Sequence, residues 1–307
     1  MSQIFYLNDL MADAPTDGVD VQKEFENTML QYAQIRNVPL LDIEKYVVIG
    51  NEVSKIMIGG KSLKELIKGV EDNDLRKVCY GYFCLRDNTN LLDYNYQDAD
   101  FNDTVLEEIL DMTFHNGKSS LYTAMASLKS WLLLSFPIEK EWKNPIVTLD
   151  DKNKYKLNNF YGSNRYCIVD KILQGQETSE AYLVRFTHRL DNFTIEYSDD
   201  FKDYFLKMQV EELRNMTLRL NLAYSRNLIA LNKEDERLYR HCSCTGASNM
   251  FELKSSHDLG IRFYLKKKDE SHLIFGGVGR KSNYKGLQQN NDMIRAYRAI
   301  EKYEKEK

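Results

Sequence analysis

Asn249-Met-Phe-Glu-Leu-Lys-Ser255, Gly260-Ile-Arg-Phe-Tyr-Leu265 and His272-Leu-Ile-Phe-Gly-Gly-Val-Gly279 are three short apolar runs in succession, separated by polar clusters. Runs of this length and composition read as strands. Their separators, Ser255-Ser-His-Asp258 and Lys266-Lys-Lys-Asp-Glu270, have hairpin lengths, which makes an antiparallel meander the economical arrangement. Alternation along a strand then sorts the side chains. Phe251 and Leu253 fall on one face with Ile261, Phe263 and Leu265, leaving Glu252, Lys254, Arg262 and Tyr264 on the other. Arg280, Lys281, Tyr284 and Lys285 follow the third strand, so a concave basic surface carrying aromatic hydroxyls is predicted on the solvent face. Lys266-Lys267-Lys268 reads as a solvated turn.

Working outward, Ser198 before Asp199 and Asp200 is a helix start: the hydroxyl accepts a free backbone N–H and the acids oppose the positive helix end. Phe201, Tyr204, Phe205 and Met208 line one face of that helix, and Leu213, Met216, Leu220 and Ala223 line a second. A last helix after the strands carries Met293, Ile294, Tyr297 and Ile300 on one side. The expected fold class is therefore α+β. Residues 191–307 form a domain of two helices, an antiparallel sheet and a final helix, preceded by a mixed α/β domain over residues 1–190.

Charge divides the chain in the same way. Residues 251–307 hold 13 Lys and Arg against 8 Asp and Glu, a net of +5, so the preceding 250 residues carry −9 of the total −4. Clustered cations raise the local potential that attracts phosphates.

The front region has the grammar of a mixed domain without announcing an activity. Val21, Phe25, Met29, Tyr32 and Ile35 keep helical spacing up to Pro39. Tyr46–Ile49 and Ile56–Ile58 read as a pair of short strands, with a helical segment from Leu63 to Ile67. Residues 87–100 read as loop, Val105–Phe114 as helix, and the apolar stretch 119–135 as a buried helix that is short and polar for a bilayer span. Gly117-Lys-Ser-Ser120 reads as a helix cap, because Met112 stands where a phosphate loop needs its upstream glycine. Residues 146–150, 165–173 and 180–187 read as strands. His115 and His188 show no metal-binding spacing.

The N-terminus lacks a basic segment followed by an apolar run, so a cytoplasmic location without membrane attachment is expected, and the five scattered cysteines are expected to be reduced thiols. His241-Cys-Ser-Cys244 offers at most three ligands where a structural zinc wants four, so neither metal nor cofactor is expected.

A surface of Lys254, Arg262 and Tyr264 suits an extended RNA backbone: cations bind phosphates and tyrosine stacks on an unpaired base. A 2′-hydroxyl held in line with its own phosphate is cleaved by positioning and cationic stabilisation of the transition state. The residues point to Arg262 as transition-state stabiliser, Lys254 and Lys281 as phosphate ligands or proton-transfer groups, and Tyr284 as a stacking ring, with Arg280, Lys285 and Tyr264 completing the RNA-binding surface.

The order helix, helix, Met-Phe-Glu-Leu-Lys, Gly-Ile-Arg-Phe-Tyr-Leu, Ile-Phe-Gly-Gly-Val-Gly-Arg-Lys and helix resembles the RelE/HigB superfamily of toxins over residues 195–305. The resemblance implies a compact α/β domain that cuts mRNA, usually on the ribosome, and is restrained by an antitoxin. It matches Arg262 to the family's strand arginine, Lys254 to the basic residue ending the preceding strand, and Arg280 with Lys281 to the basic pair after the last strand. Tyr284 and Tyr303 both fit the C-terminal catalytic position. The long front region and the His-Cys-Ser-Cys insert depart from the family pattern.

The leading expectation is a metal-independent, ribosome-dependent endoribonuclease acting as a toxin or antiviral defence effector, with mRNA, the ribosome and an antitoxin or defence protein as partners. The alternative is a nonenzymatic nucleic-acid or protein-binding module, gyrase inhibitors included, using the same basic face. A third reading places the activity in residues 1–190.

Overall fold

The computed structural model describes residues 2–11, 18–84, 123, 126–127, 129–148, 156–191, 193–256, 258–281 and 287–307. Readings over residues 87–100, 105–114 and 117–120 lie outside them. The described residues form a mixed α and β protein that divides into two compact units, Met1–Ile172 and Leu173–Lys307. The division falls earlier than residue 190, because Phe186 and Leu190 pack into the aromatic core of the second unit.

In the first unit, the apolar run Gln3–Leu7 is strand β1, parallel to β2 (Ile43–Val48) on one side and to β5 (Leu132–Leu134) on the other. A two-stranded ribbon, β3 (Met57–Ile58) with β4 (Lys61–Ser62), stands apart, so the short strand near residue 57 pairs with its successor and not with β2. The sheet is completed by β7 (Lys156–Phe160), parallel to β5, and β6 (Ile146–Thr148), antiparallel to β7, in the order β2-β1-β5-β7-β6. Helix α1 (Val21–Arg36) starts where Asp20 accepts from the amides of Gln22 and Lys23, and it buries the stripe Val21, Phe25, Met29, Tyr32 and Ile35. Helices α2 (Leu63–Gly69) and α3 (Asn73–Phe83) follow.

Three readings of residues 119–187 are corrected. Leu132–Leu134 is a central strand and not the end of a helix; a short, wholly apolar run carries no period that separates the two. Residues 165–173 and 180–187 are helices, α4 (Arg165–Ile172) and α5 (Ser179–Thr187), and not strands. The burial of Arg165, Ile168 and Val169 in α4 and of Ala181, Tyr182, Leu183 and Phe186 in α5 follows helical spacing. The Thr178 hydroxyl accepts from the Ala181 amide at 3.2 Å, a cap that outweighs the β-branched and aromatic content of the segment.

The second unit is built on β8 (Thr194–Tyr197), α6 (Asp199–Phe205), α7 (Val210–Ser225), β9 (Tyr239–Cys244), β10 (Ala247–Lys254), β11 (Ile261–Asp269), β12 (His272–Arg280) and α8 (Leu287–Glu306). Strands β9 to β12 form an antiparallel meander and β8 joins β12 in parallel, giving the order β8-β12-β11-β10-β9. The meander therefore has a fourth strand, formed by the segment containing His241, Cys242 and Cys244. Ser198 caps α6 as the sequence requires, its hydroxyl accepting from the Phe201 amide at 3.2 Å. Lys266–Lys268 continue β11 and are not a turn. Lys266 reaches Glu304 at 2.8 Å and Lys267 reaches the Ile229 carbonyl at 3.1 Å, so the tight turn falls between Asp269 and His272.

Both faces of this sheet are covered. On one, Leu253, Phe263 and Phe275 pack against Phe186, Phe201, Phe205, Met216 and Leu220 from the helices. Ring centroids lie 5.0 Å apart for Phe201 and Phe263 and for Phe186 and Phe275, and each fully buried Phe contributes about 1.5–3 kcal/mol. On the other face α8 lies over Cys242, Met250, Tyr264 and Ile274, with Met293, Ala296 and Ile300 turned inward. The glycines of β12 allow this approach. A Cβ on Gly276 would stand 2.3 Å from the Ala296 carbonyl oxygen, and one on Gly277 3.0 Å from the Ala296 Cβ. Gly276 is also the extra residue of a bulge, since Tyr264 pairs with Gly277 and Leu265 with Phe275.

Candidate nucleic-acid interface

Strand register assembles the basic site. In the β10–β11 pair Lys254 stands directly opposite Arg262, and Glu252 opposite Tyr264; in β11–β12, Arg262 faces Gly279. The side chain of Arg262 thus has no Cβ beside it on β12. The Lys281 amide donates to the Gly260 carbonyl at 2.6 Å, carrying the ladder one residue past β12. Lys281 is exposed and falls on the same face as Gly279, one pleat (~7 Å) along from the Arg262 pairing.

The centre of the site is an acid. Glu252 is fully buried, and Arg240 Nε, Lys254 Nζ and Arg262 Nη1 approach its carboxylate at 2.5, 3.1 and 3.4 Å. Gln289 Nε2 on α8 donates to the same group at 3.2 Å. Register explains the convergence: Arg240 pairs with Glu252 across β9–β10, and Lys254 follows it by one pleat. Outside the cage, the exposed Glu236 carboxylate meets Arg240 at 2.9 Å and its carbonyl accepts from Lys254 at 2.6 Å. A buried carboxylate without such partners would carry a desolvation penalty of several kcal/mol. Glu236 on Arg240 and Asp292 beside Arg262 add to the acid side, so the cluster is close to balanced in formal charge. The side chains of Arg240, Lys254 and Arg262 keep 30%, 18% and 21% of their surface open, enough to meet an external phosphate.

Asp292 borders the cluster from α8. Burial raises its carboxyl pKa, opposed by the nearby cations Arg295 and Arg262. A Cβ on Gly279 would stand 2.8 Å from its Oδ2, so the carboxyl lies against the glycine that faces Arg262.

Two expected RNA ligands lie elsewhere. Arg280 follows Gly279 by one residue and therefore points to the opposite face, where its guanidinium makes a bidentate pair with Glu212 of α7 at 2.6 and 2.9 Å. That bond holds the Glu212 carboxyl below its ordinary pKa. Tyr264 has the predicted orientation but is fully buried beneath α8, and burial pushes its phenol well above the ordinary range, so it offers no stacking face. Amphipathic alternation reports which face a residue takes; it does not report that a later helix will cover that face. Tyr284 and Lys285 lie outside the described residues. Tyr303 is 14 residues beyond Gln289 along α8, about 21 Å of helix from the cage.

Glu252, Arg240, Gln289 and Asp292 are the members that sequence reading passed over. Glu252 carried the one available signal, an acid on the polar face two residues from Lys254. Arg240 needed the fourth strand, and the α8 residues needed the tertiary fold. Strand alternation also divides the His-Cys-Ser-Cys segment: Cys242 and Cys244 face α8, whereas His241 packs edge-on against Phe251 on the other side. The Cys242 thiol is pushed up to about 12 by burial, the opposite of a ready metal ligand. Among the described residues no cluster of three His, Cys, Asp or Glu is arranged to hold a metal, and no helix is long and apolar enough to cross a membrane.

Comparison with family models, curated proteins and solved structures found no match for the chain. What the fold and site define is a class: a mixed α and β protein of two units, the second carrying a cation cluster on a covered antiparallel sheet.

Proposed function

We propose that the Leu173–Lys307 unit is a toxin-type RNA-binding unit of the RelE/HigB kind that cleaves mRNA in a metal-independent, ribosome-dependent reaction. In this reading it serves as a cytoplasmic toxin or phage-defence effector, held in check by an antitoxin or defence partner, and the acidic Met1–Ile172 unit acts as regulator or partner-binding module. The observation that carries the reading is the cross-strand pair Lys254–Arg262 with exposed Lys281 on the same face. It sets three cations at one end of neighbouring strands of the sheet.

In the chemistry this supports, the 2′-oxygen of one ribose attacks its own 3′-phosphorus while the bond to the next 5′-oxygen breaks, leaving a 2′,3′-cyclic phosphate and a 5′-hydroxyl. The proton leaves the 2′-hydroxyl and another arrives on the 5′-oxygen. Arg262 stabilises the charge on the pentacoordinate phosphorus, and Lys254 and Lys281 hold the flanking phosphates or move the proton, with Tyr284 as the further candidate.

A second reading, a nonenzymatic binding module, is favoured by Glu252: the same cations already have an internal counter-ion. Induced expression separates the two. Wild type should arrest growth with loss of mRNA, and an Arg262→Ala/Lys281→Ala variant should not; equal growth of the two cultures would end the enzyme reading. Salt-sensitive RNA binding by purified protein without any cleaved product would establish the binding module instead.

A further inference from the structure

A groove of about 520 Å3 runs beside α8, lined by Asn291, Arg295, Arg298 and Lys302 on that helix and by Asp200 on α6. The helix residues recur at helical spacing, so their side chains share one face, and the cations climb it in steps of ~4.5 and ~6 Å. Arg295 is pinned. It lies 4.8 Å over the Tyr204 ring, donates to the Tyr204 hydroxyl at 3.2 Å and to the Val278 carbonyl at 3.0 Å, and pairs with Asp292 at 3.2 Å. Arg298 is exposed and has no ion-pair partner among the described residues, and Lys302 makes only a 3.8 Å surface pair with Glu306. With Arg295 offset by Asp292, Arg298 and Lys302 against Asp200 leave the groove lining positive by about one charge.

Its position ties it to the cation cluster. Val278, which anchors Arg295, precedes the Gly279 that faces Arg262 in register, and Asp292 interacts with both Arg295 and Arg262, so the first cation of the groove is separated from the cluster by one carboxylate. We propose that this groove is a second phosphate-binding segment of one RNA path, in which a single strand crosses Lys254, Arg262 and Lys281 and then follows Arg295, Arg298 and Lys302. The proposal rests on the RNA reading above and extends it. An acidic polypeptide fits less well, because Ile294 and Ala299 are the only apolar lining and leave no pocket for the hydrophobic anchors that dominate protein interfaces.

The test uses the full-length chain and a fluorescein-labelled, 2′-O-methylated RNA dodecamer, which cannot supply the attacking hydroxyl. Binding is followed by anisotropy across a salt series for wild type, Arg298→Ala/Lys302→Ala, Arg262→Ala/Lys281→Ala and the four-site combination. All four positions are exposed or at the rim of the cage, and circular dichroism checks that each variant is folded. The groove pair should weaken binding about tenfold and lower the salt slope by about 1.4, with the effects of the two pairs adding in the combination. An unchanged affinity and slope in the groove pair, with loss in the Arg262 pair, overturns the groove and leaves the RNA reading standing. Loss in the groove pair alone supports the groove and overturns the strand-end site. No binding by wild type overturns both, and displacement of the RNA by poly-glutamate at equal charge reassigns the groove to an acidic polypeptide.

Discussion

In the first unit three neutral polar side chains at the carboxyl ends of the central strands form a connected chain. Asn8 donates to the Ser135 hydroxyl at 2.9 Å, Ser135 to the Asn159 carboxamide oxygen at 2.7 Å, and Asn159 to the carbonyls of Trp142 and Asn144 at 3.0 Å, with all three side chains fully buried. In the second unit the polar interior of the sheet is ionic: one buried carboxylate faces three cations that remain partly open to solvent. The neutral chain spends every donor and acceptor on the protein itself and fastens β1, β5 and β7 together. The ionic cluster keeps charged side chains partly open to solvent, where salt, pH or a polyanion can reach them. That difference teaches where to look for function: a fully satisfied, buried network holds a sheet, whereas a charged one that stays partly open to solvent can still meet an external ion.

The sharpest way to break the comparison is Glu252→Ala. Three cations would lose their common counter-ion, and unfolding in urea should show a loss of about 3–5 kcal/mol at low salt. Raising the ionic strength should recover part of it, because screening weakens repulsion among the remaining cations. A loss identical at all salt concentrations would mean that Glu252 acts by packing and not by charge.

Asn159→Ala is the counterpart in the neutral network. It strands the Ser135 hydroxyl and the Trp142 carbonyl and removes the bond to the more open Asn144 carbonyl, a cost of about 2–3 kcal/mol. This loss should not vary with salt or between pH 5 and 8, since no member of the chain titrates there. A salt-dependent loss would erase the contrast between the units.

The smallest effect is expected at Glu212→Gln, which weakens the bidentate pair with Arg280, about 1 kcal/mol at neutral pH. Because the folded state holds the Glu212 carboxyl below its ordinary value, the pair's contribution is present above the unfolded carboxyl range, near ~4.3, and is lost as pH falls through the lowered folded value. Stability measured against pH should therefore show wild type and variant converging on the acid side. Parallel curves down to the acid transition would contradict the assignment.

The helices and strands of the second unit were readable where two local signals agreed. Ser198 with two acids announced α6, and the alternation of Phe251, Leu253, Ile261 and Phe263 announced the buried face of the meander. The first unit was harder to read: Leu132–Leu134 is a short strand buried in a largely parallel sheet and shows no alternation, and Lys156–Phe160 carries two asparagines and a lysine in five residues. Of the site, that Lys254 and Arg262 share a face followed from strand alternation in a meander, while their direct pairing came from the register of β10 and β11. The separation of Arg280 from Lys281 was also implicit in alternation, because adjacent residues of an extended chain point to opposite faces.

By itself, the order of residues determined which side chains share a face of the meander, and therefore that Glu252, Lys254, Arg262 and Tyr264 travel together. Side-chain alternation is a property of the extended backbone and needs no partner. Only the tertiary structure decided that α8 would cover that face, burying Tyr264, bringing Gln289 and Asp292 to the cations and shaping a groove along its outer side. The docking of α8 depends on contacts between segments far apart in the chain, above all the glycines of β12 that let Ala296 approach the sheet, and no local pattern of charge or hydrophobicity encodes that distance.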